Sequence, residues 1–258
     1  MHDFTGKIVL VTGGAGHIGR AICAHFLASG ATVIACGRRE PEVPVVHEGN
    51  RARFICADIR EPEACQQMIE TITADYGRLD VLVNNAGGGP PVAAATASPS
   101  LTQKIIALNL VAPMVLSQQA HVALAAGEQP GVIINIASVS GVRPSPGSAA
   151  YGAAKAGLVS ATQSLAMEWG PTVRVNAIVV GLVHNEAGHE HYGGEKGFRK
   201  VADMLPLKRM AEPADIARAV LMLCSSDAAY ISGASLEVHG GGEVPVFLHL
   251  ASEAQQSR

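Results

Sequence analysis

Cysteine is scarce and scattered. The chain has five, Cys23, Cys36, Cys56, Cys65 and Cys224, an odd number with no C-x-x-C pair. This argues against a disulfide framework or a cysteine-paired zinc site and fits a reducing compartment. Charge is also thin. Only 16% of residues are charged and the formal net charge is −3, so there is no basic field to attract nucleic acid. No run reaches the roughly 18 consecutive apolar residues that a membrane span requires. The opening "MHDFTGK" lacks the basic start and apolar stretch of a secretory signal. Together these absences predict a cytoplasmic protein with no membrane partner. There is no internal repeat and no linker that would cut the chain, so residues 1–258 are read as one domain.

What the chain does have is 48% apolar residues in a regular order. Short runs such as "KIVLVT", "ATVIAC", "LDVLVNNAG", "GVIINIAS" and "VRVNAIVVG" alternate with longer helix-like stretches. Near-continuous runs of Val, Ile and Leu suit strands buried on both faces. Strands alternating with helices predict right-handed crossovers, hence a doubly wound, Rossmann-like α/β fold with a parallel sheet and helices on both faces. Ligands of such sheets bind beyond the carboxyl ends of the strands. That rule selects the turn at Gly13–Gly19, "GRR" after the second strand, "AD" after the third, "NNAG" after the fourth, "AS" after the fifth and "VVGLV" after the sixth.

The first of these, "TGGAGHIG", follows a strand and opens a helix, as a phosphate-binding turn does. His17 sits inside it, with two places open to its imidazole: the anion site at the helix N-terminus, or solvent above it. The stretch "YGAAK" sets Tyr151 and Lys155 four residues apart, on one face of a helix. A phenol near pKa 10 is a poor acid or base at neutral pH, and a neighbouring ammonium lowers that value. Such a pair can pass a proton to or from an alcohol or carbonyl oxygen. Taken alone, a surface helix carrying a Tyr and a Lys would look the same.

With "TGGAGHIG", "NNAG", "ALNL", "IINIASVSG", "YGAAK", "VRVN" and "PADIARAVLMLCSS" in order along almost the whole chain, the sequence resembles the single-domain branch of the short-chain dehydrogenase/reductase family. The resemblance implies hydride transfer between a nicotinamide cofactor and a secondary alcohol/ketone pair. It implies that Ser138 bonds the substrate oxygen and that Tyr151 is the acid or base. Lys155 would hold the nicotinamide ribose and depress the Tyr151 pKa, while Asn109 would help hold a proton-relay water. The family's cofactor contacts fall on Gly13, Gly16, His17, Ile18, Gly19, Arg38, Arg39, Asp58, Ile59, Asn85, Ala86, Gly87, Tyr151, Lys155, Gly181 and Val183.

Several positions depart from the family pattern. His17 replaces a glycine, and Gly16 is expected to supply the freedom that His17 lacks. Val180 replaces a proline, Asn185 a threonine and His239 an aspartate, the last read as structural. The region 184–210 is where the family has a substrate lid. Its apolar Phe198, Met204 and Leu205, mixed with His and Tyr192, are compatible with a bulky ketone, an acyl thioester or a steroid-like ring. His184, His189 and His191 show no established zinc spacing and are read as lid residues, so no metal is expected. Gly37, Arg38 and Arg39 stand where an NAD-preferring relative carries an acidic residue, which favours NADP(H) over NAD(H). Family habit and the apolar tail "EVPVFLHL" predict a homo-oligomer, a tetramer. The rival reading is a dinucleotide-binding sensor that uses the same fold without turnover.

Overall fold

A computed structural model describes residues 2–185, 192–248 and 250. In chain order the elements are β1 (Ile8–Thr12), α1 (His17–Ala28), β2 (Thr32–Gly37), β3 (Val46–His47), β4 (Asn50–Arg51), β5 (Arg53–Cys56), α2 (Pro62–Tyr76) and β6 (Val81–Asn84). They continue with α3 (Pro99–Ile106), α4 (Ala112–Ala125), β7 (Gly131–Ser138), α5 (Ala149–Trp169), β8 (Val173–Val180), α6 (Gly194–Met204), α7 (Pro213–Cys224) and β9 (Ser235–Val238).

Seven strands form one sheet in the order β5-β2-β1-β6-β7-β8-β9, every neighbouring pair parallel. This is the expected doubly wound sheet, and its order reverses between β1 and β6. The alternation of side chains along a strand explains the apolar runs. In β1, Val9 and Val11 pack with Ile22 and Phe26 of α1 and Ile216 of α7. Ile8 and Leu10 point the other way, towards Met68 and Ile72 of α2 and Leu116 of α4. A strand covered on both faces has no polar side to show, so it reads as continuous hydrophobe.

Three details were not expected. The stretch between β2 and β5 contains the hairpin β3–β4, closed by Glu48 and Gly49, both at positive φ. Two-residue strands are too short to show a period. The long helix-like stretch over 99–125 is one rod, but Ala107–Val111 between α3 and α4 is a π-helical turn. Pro113 has no N–H to close an α-turn onto the Asn109 carbonyl, so the helix widens just before it. By length and composition that rod, Pro99–Ala125, is also apolar enough to cross a membrane. It packs Leu116, Ala120 and Leu124 into the core beneath the sheet. Finally, part of the lid region is helical: α6 closes a small core of its own in which Leu205 is buried and Phe198 packs.

Candidate active site

At the point where the sheet order reverses, a cleft of about 780 Å³ opens beyond the carboxyl ends of the strands. Gly13, Gly16, His17, Ile18, Gly19, Arg38, Arg39, Asp58, Ile59, Asn85, Ala86, Gly87 and Val183 all line it. The turn from β1 into α1 is a cradle that side chains would fill. Gly13 has φ +63°, and a Cβ at Gly19 would lie 2.1 Å from the Gly13 carbonyl oxygen. The exposed backbone at the start of α1 suits an anion, and no acidic residue stands in the first turn. Gly16 does not supply the freedom the sequence suggested. Its φ is −77°, open to any residue, and His17 simply begins the helix. The strained position is Gly13, so nothing at 17 calls for glycine.

The turn is held from behind by a residue that motif matching passed over. The Thr12 hydroxyl accepts hydrogen bonds from the backbone N–H groups of Asn85 and Ala86, at 3.0 and 3.1 Å. The Asn85 amide donates to the Thr12 carbonyl at 2.9 Å. The "NNAG" loop therefore buttresses the phosphate turn as well as lining the cleft.

At the far end of the cleft Arg38 and Arg39 follow β2, and Glu40 turns away to Arg51 at 3.5 Å. A Cβ on Gly37 would meet the Phe54 ring at 3.3 Å, so a larger side chain there would be crowded. Asp58 is not a free carboxylate. The Arg60 guanidinium grips it, with Nε 2.9 Å from one oxygen, and holds its carboxyl below the usual range, with Arg38 adding a weaker pull. Arg60 was missed by the sequence reading, although it follows β5 where the carboxyl-end rule points. With Arg38 it makes two arginines acting on one carboxylate.

The four candidate catalytic residues converge from three elements. Ser138 ends β7, Tyr151 and Lys155 lie on α5, and Asn109 is buried in the π-turn. Ser138 lies near enough to Tyr151 to favour its ionised form. The Lys155 Nζ lies 5.7 Å from the centroid of the Tyr151 ring and donates to the Ile136 carbonyl at 2.7 Å. Asn109 clasps Gly88, accepting its N–H and donating to its carbonyl, both at 2.8 Å. Gly87 joins the set to the cleft, since a Cβ there would lie 2.7 Å from Asn109 Oδ1 and 3.1 Å from Lys155 Nζ. Burial pushes the Tyr151 phenol up, partly offset by Ser138. Burial pulls Lys155 down to about 8. The lowering of Tyr151 by Lys155 expected from the sequence is thus not the dominant influence here: the ammonium turns to the β7 backbone, and burial prevails.

Other predicted residues lie elsewhere. Gly181 is not on the cleft. It lines a smaller cavity of about 190 Å³, where a Cβ would meet that of His239 at 2.6 Å. His239 bonds Glu237 at 2.7 Å. Asn185 does line the main cleft. His17 is exposed and lines the cleft, and its Nε2 meets the His184 carbonyl at 2.5 Å. His184 itself faces Glu212 through Nδ1 at 3.2 Å. His189 and His191 lie outside the described residues. Among the described residues no group of three or more His, Cys, Asp or Glu is placed to hold a metal ion. Leu205 is buried in the lid's own small core, and Phe198, partly buried, packs against it.

This geometry agrees with what the chain is similar to. The family model described as enoyl-(acyl carrier protein) reductase matches residues 13–243. A 3-oxoacyl-(acyl-carrier-protein) reductase of Rickettsia typhi is 34% identical over 244 residues, covering 93% of this chain and 98% of that protein. A 3beta-hydroxysteroid dehydrogenase of Eggerthella lenta is 31% identical, covering 93% of this chain and 94% of that one. The structure of an aldohexose dehydrogenase from Thermoplasma acidophilum superposes with a TM-score of 0.86 at 28% identity, covering 92% of this chain and 94% of that chain.

Proposed function

The chain belongs to the short-chain dehydrogenase/reductase family and is an oxidoreductase acting on CH–OH groups with a nicotinamide cofactor, and from that premise we propose that it uses NADP(H) to interconvert a secondary alcohol and a ketone, with Tyr151 as the proton-transfer group. The observation that carries this reading is the Ser138–Tyr151–Lys155 set meeting the cleft at Gly87. The glycine cradle would hold a pyrophosphate through Gly13, Ile18, Gly19 and the start of α1. A nicotinamide bound in the cleft would give or take the hydride. The chain's own residues do the rest. Ser138 bonds the substrate oxygen, Tyr151 moves its proton, Lys155 holds the ribose, and Asn109 fixes the backbone at Gly88 beside them and helps hold a relay water. Ile59, Asn85 and Ala86 would line the cofactor, and Val183 would cover it from the loop after β8.

The cofactor preference rests on the arginine end of the cleft. No carboxylate ends β2 to accept ribose hydroxyls, Glu40 beyond it is turned to Arg51, and the carboxylate nearby, Asp58, is already paired with Arg60. Arg38 and Arg39 offer planar forks of donors that match a 2′-phosphate. Arg38→Ala is expected to weaken NADP(H) binding by roughly 1.5–3 kcal/mol, the worth of a hydrogen bond to a charged group, and to leave NAD(H) nearly unchanged. Titration with both cofactors measures this. Preference of the wild type for NAD(H), or equal losses for both, would refute the assignment. Turnover tests the wider reading: ketones and secondary alcohols assayed with each cofactor should show oxidation or reduction. Tight cofactor binding without turnover on any of them would favour the sensor.

The substrate proposal stays at the alcohol/ketone level, since the similar proteins named above act on acyl, steroid and sugar compounds. We propose a homotetramer in the cytoplasm. Val122 on α4, Met167 on α5 and the tail residues Val246, Phe247 and Leu248 are exposed apolar side chains, a liability on a monomer. Light scattering at micromolar concentration should give a tetramer, and a monodisperse monomer would refute it.

A further inference from the structure

We propose that His17 is a positioning residue that ties the strap of residues 183–185 across the mouth of the dinucleotide cleft and thereby sets how slowly the cofactor leaves. The proposal rests on the nicotinamide reading of the cleft and concerns one contact within it. His17 is the first residue of α1, where the phosphate turn ends. Its Nε2 lies 2.5 Å from the backbone oxygen of His184, 167 residues further along the chain. A carbonyl oxygen only accepts, so Nε2 carries the hydrogen and donates.

The strap is pinned on its other side as well. Val183 pairs with Ala211 in a parallel bridge. The His184 N–H donates to the Ala211 carbonyl at 2.8 Å, and the Ala211 N–H donates to Leu182 at 2.9 Å. The His184 ring faces Glu212, at the start of α7. One edge of the strap is therefore fixed to the entry of α7, and His17 fixes the other to the start of α1. Val183 and Asn185, on either side of the tied carbonyl, line the same cleft as His17. A ligand running from the α1 N-terminus to Gly87 passes beneath this tie, and the tie must open for it to leave. A glycine at 17 would keep the turn, because no strain resides there, and would lose the donor.

The test uses the full chain with His17→Ala and His17→Gln. Gln places an amide N–H at about the reach of Nε2, so it should restore the tie. In the protein without cofactor, amide hydrogen exchange at residues 183–185 should be faster in His17→Ala than in the wild type and restored in His17→Gln. NADPH release, followed by its fluorescence after a chase with excess NADP+, should be about tenfold faster in the Ala variant, as for loss of one hydrogen bond at the mouth. It should return towards wild type in the Gln variant. Unchanged exchange and release within twofold in His17→Ala would overturn the proposal. So would equal acceleration in Ala and Gln, which would assign His17 a role through ring shape instead. If the wild type bound no nicotinamide dinucleotide while exchange at 183–185 still depended on the residue at 17, the cofactor reading would fail and the tie would stand.

Discussion

Tyr151→Phe is expected to lower turnover by about 10²- to 10⁴-fold, the range a positioned general acid or base contributes, while cofactor still binds. The substitution removes one hydroxyl from a side chain that is largely packed and keeps the ring, so the fold and the cleft should persist. What it removes is the hydroxyl that Ser138 acts on, borne by a ring whose centre is 5.7 Å from the Lys155 Nζ. Burial raises the Tyr151 phenol above its ordinary value, which favours the protonated form and suits a proton donor to a developing alkoxide. In the oxidation direction the same burial must be overcome by the Lys155 ammonium, so oxidation should gain more than reduction from raising the pH. Steady-state kinetics in both directions, with cofactor binding measured separately, checks this. Near-normal turnover of the Phe variant would remove Tyr151 from the chemistry. A wild type that binds cofactor but turns over nothing, with the Phe variant indistinguishable from it, would support the sensor instead.

Much of this site could be read from the chain because its parts are short and local. Tyr151 and Lys155 are four residues apart on one helix, and the phosphate turn lies between one strand and one helix. The sheet was legible because strands buried on both faces are mostly apolar, with only isolated polar residues such as Asn84, Asn135 and Asn176 among them. Long-range contacts were not legible. Nothing in "TGGAGHIG" says that His17 will meet the backbone at residue 184, since a carbonyl oxygen has no sequence signature. The grip of Arg60 on Asp58 spans only two residues, but an "ADIR" stretch does not say whether the carboxylate is paired or free. The assignment of freedom to Gly16 failed because glycine is needed where φ is positive or space is missing, and here both conditions fall on Gly13 and Gly19. Gly181 is glycine because the chain crossing at His239 occupies the space that a side chain would need, a contact its motif does not reveal. Of the apolar lid residues, Leu205 is buried in the small core that Phe198 packs against.

Lys155→Met is expected to abolish most turnover and, at neutral pH, to make the protein more stable. Lys155 is 3% exposed and its pKa falls to about 8 from 10.5, with burial as the cause. At pH 7 the amine is charged in both the folded and the unfolded chain, so the folded state bears the whole cost of holding an ammonium out of water. Between about 8 and 10.5 the unfolded chain keeps a proton that the folded chain has lost, so Lys155 makes stability rise with pH in that window. A lowering of this size corresponds to about 3 kcal/mol, and losing the bond to the Ile136 carbonyl returns about 1 kcal/mol of it. The Met variant should therefore gain about 1–2 kcal/mol at pH 7. Its advantage over the wild type should shrink and then vanish as the pH rises towards 10. Denaturant unfolding of both proteins at pH 7 and 10 reads this difference directly, and comparing the two cancels the titration of every other group. A Met variant less stable at pH 7, or a gap that does not move with pH, would show that the buried ammonium is not a strained group. The outcome expected here is the opposite: a buried charge kept at a cost to the fold, in the one place where a ribose and a phenolate would need it.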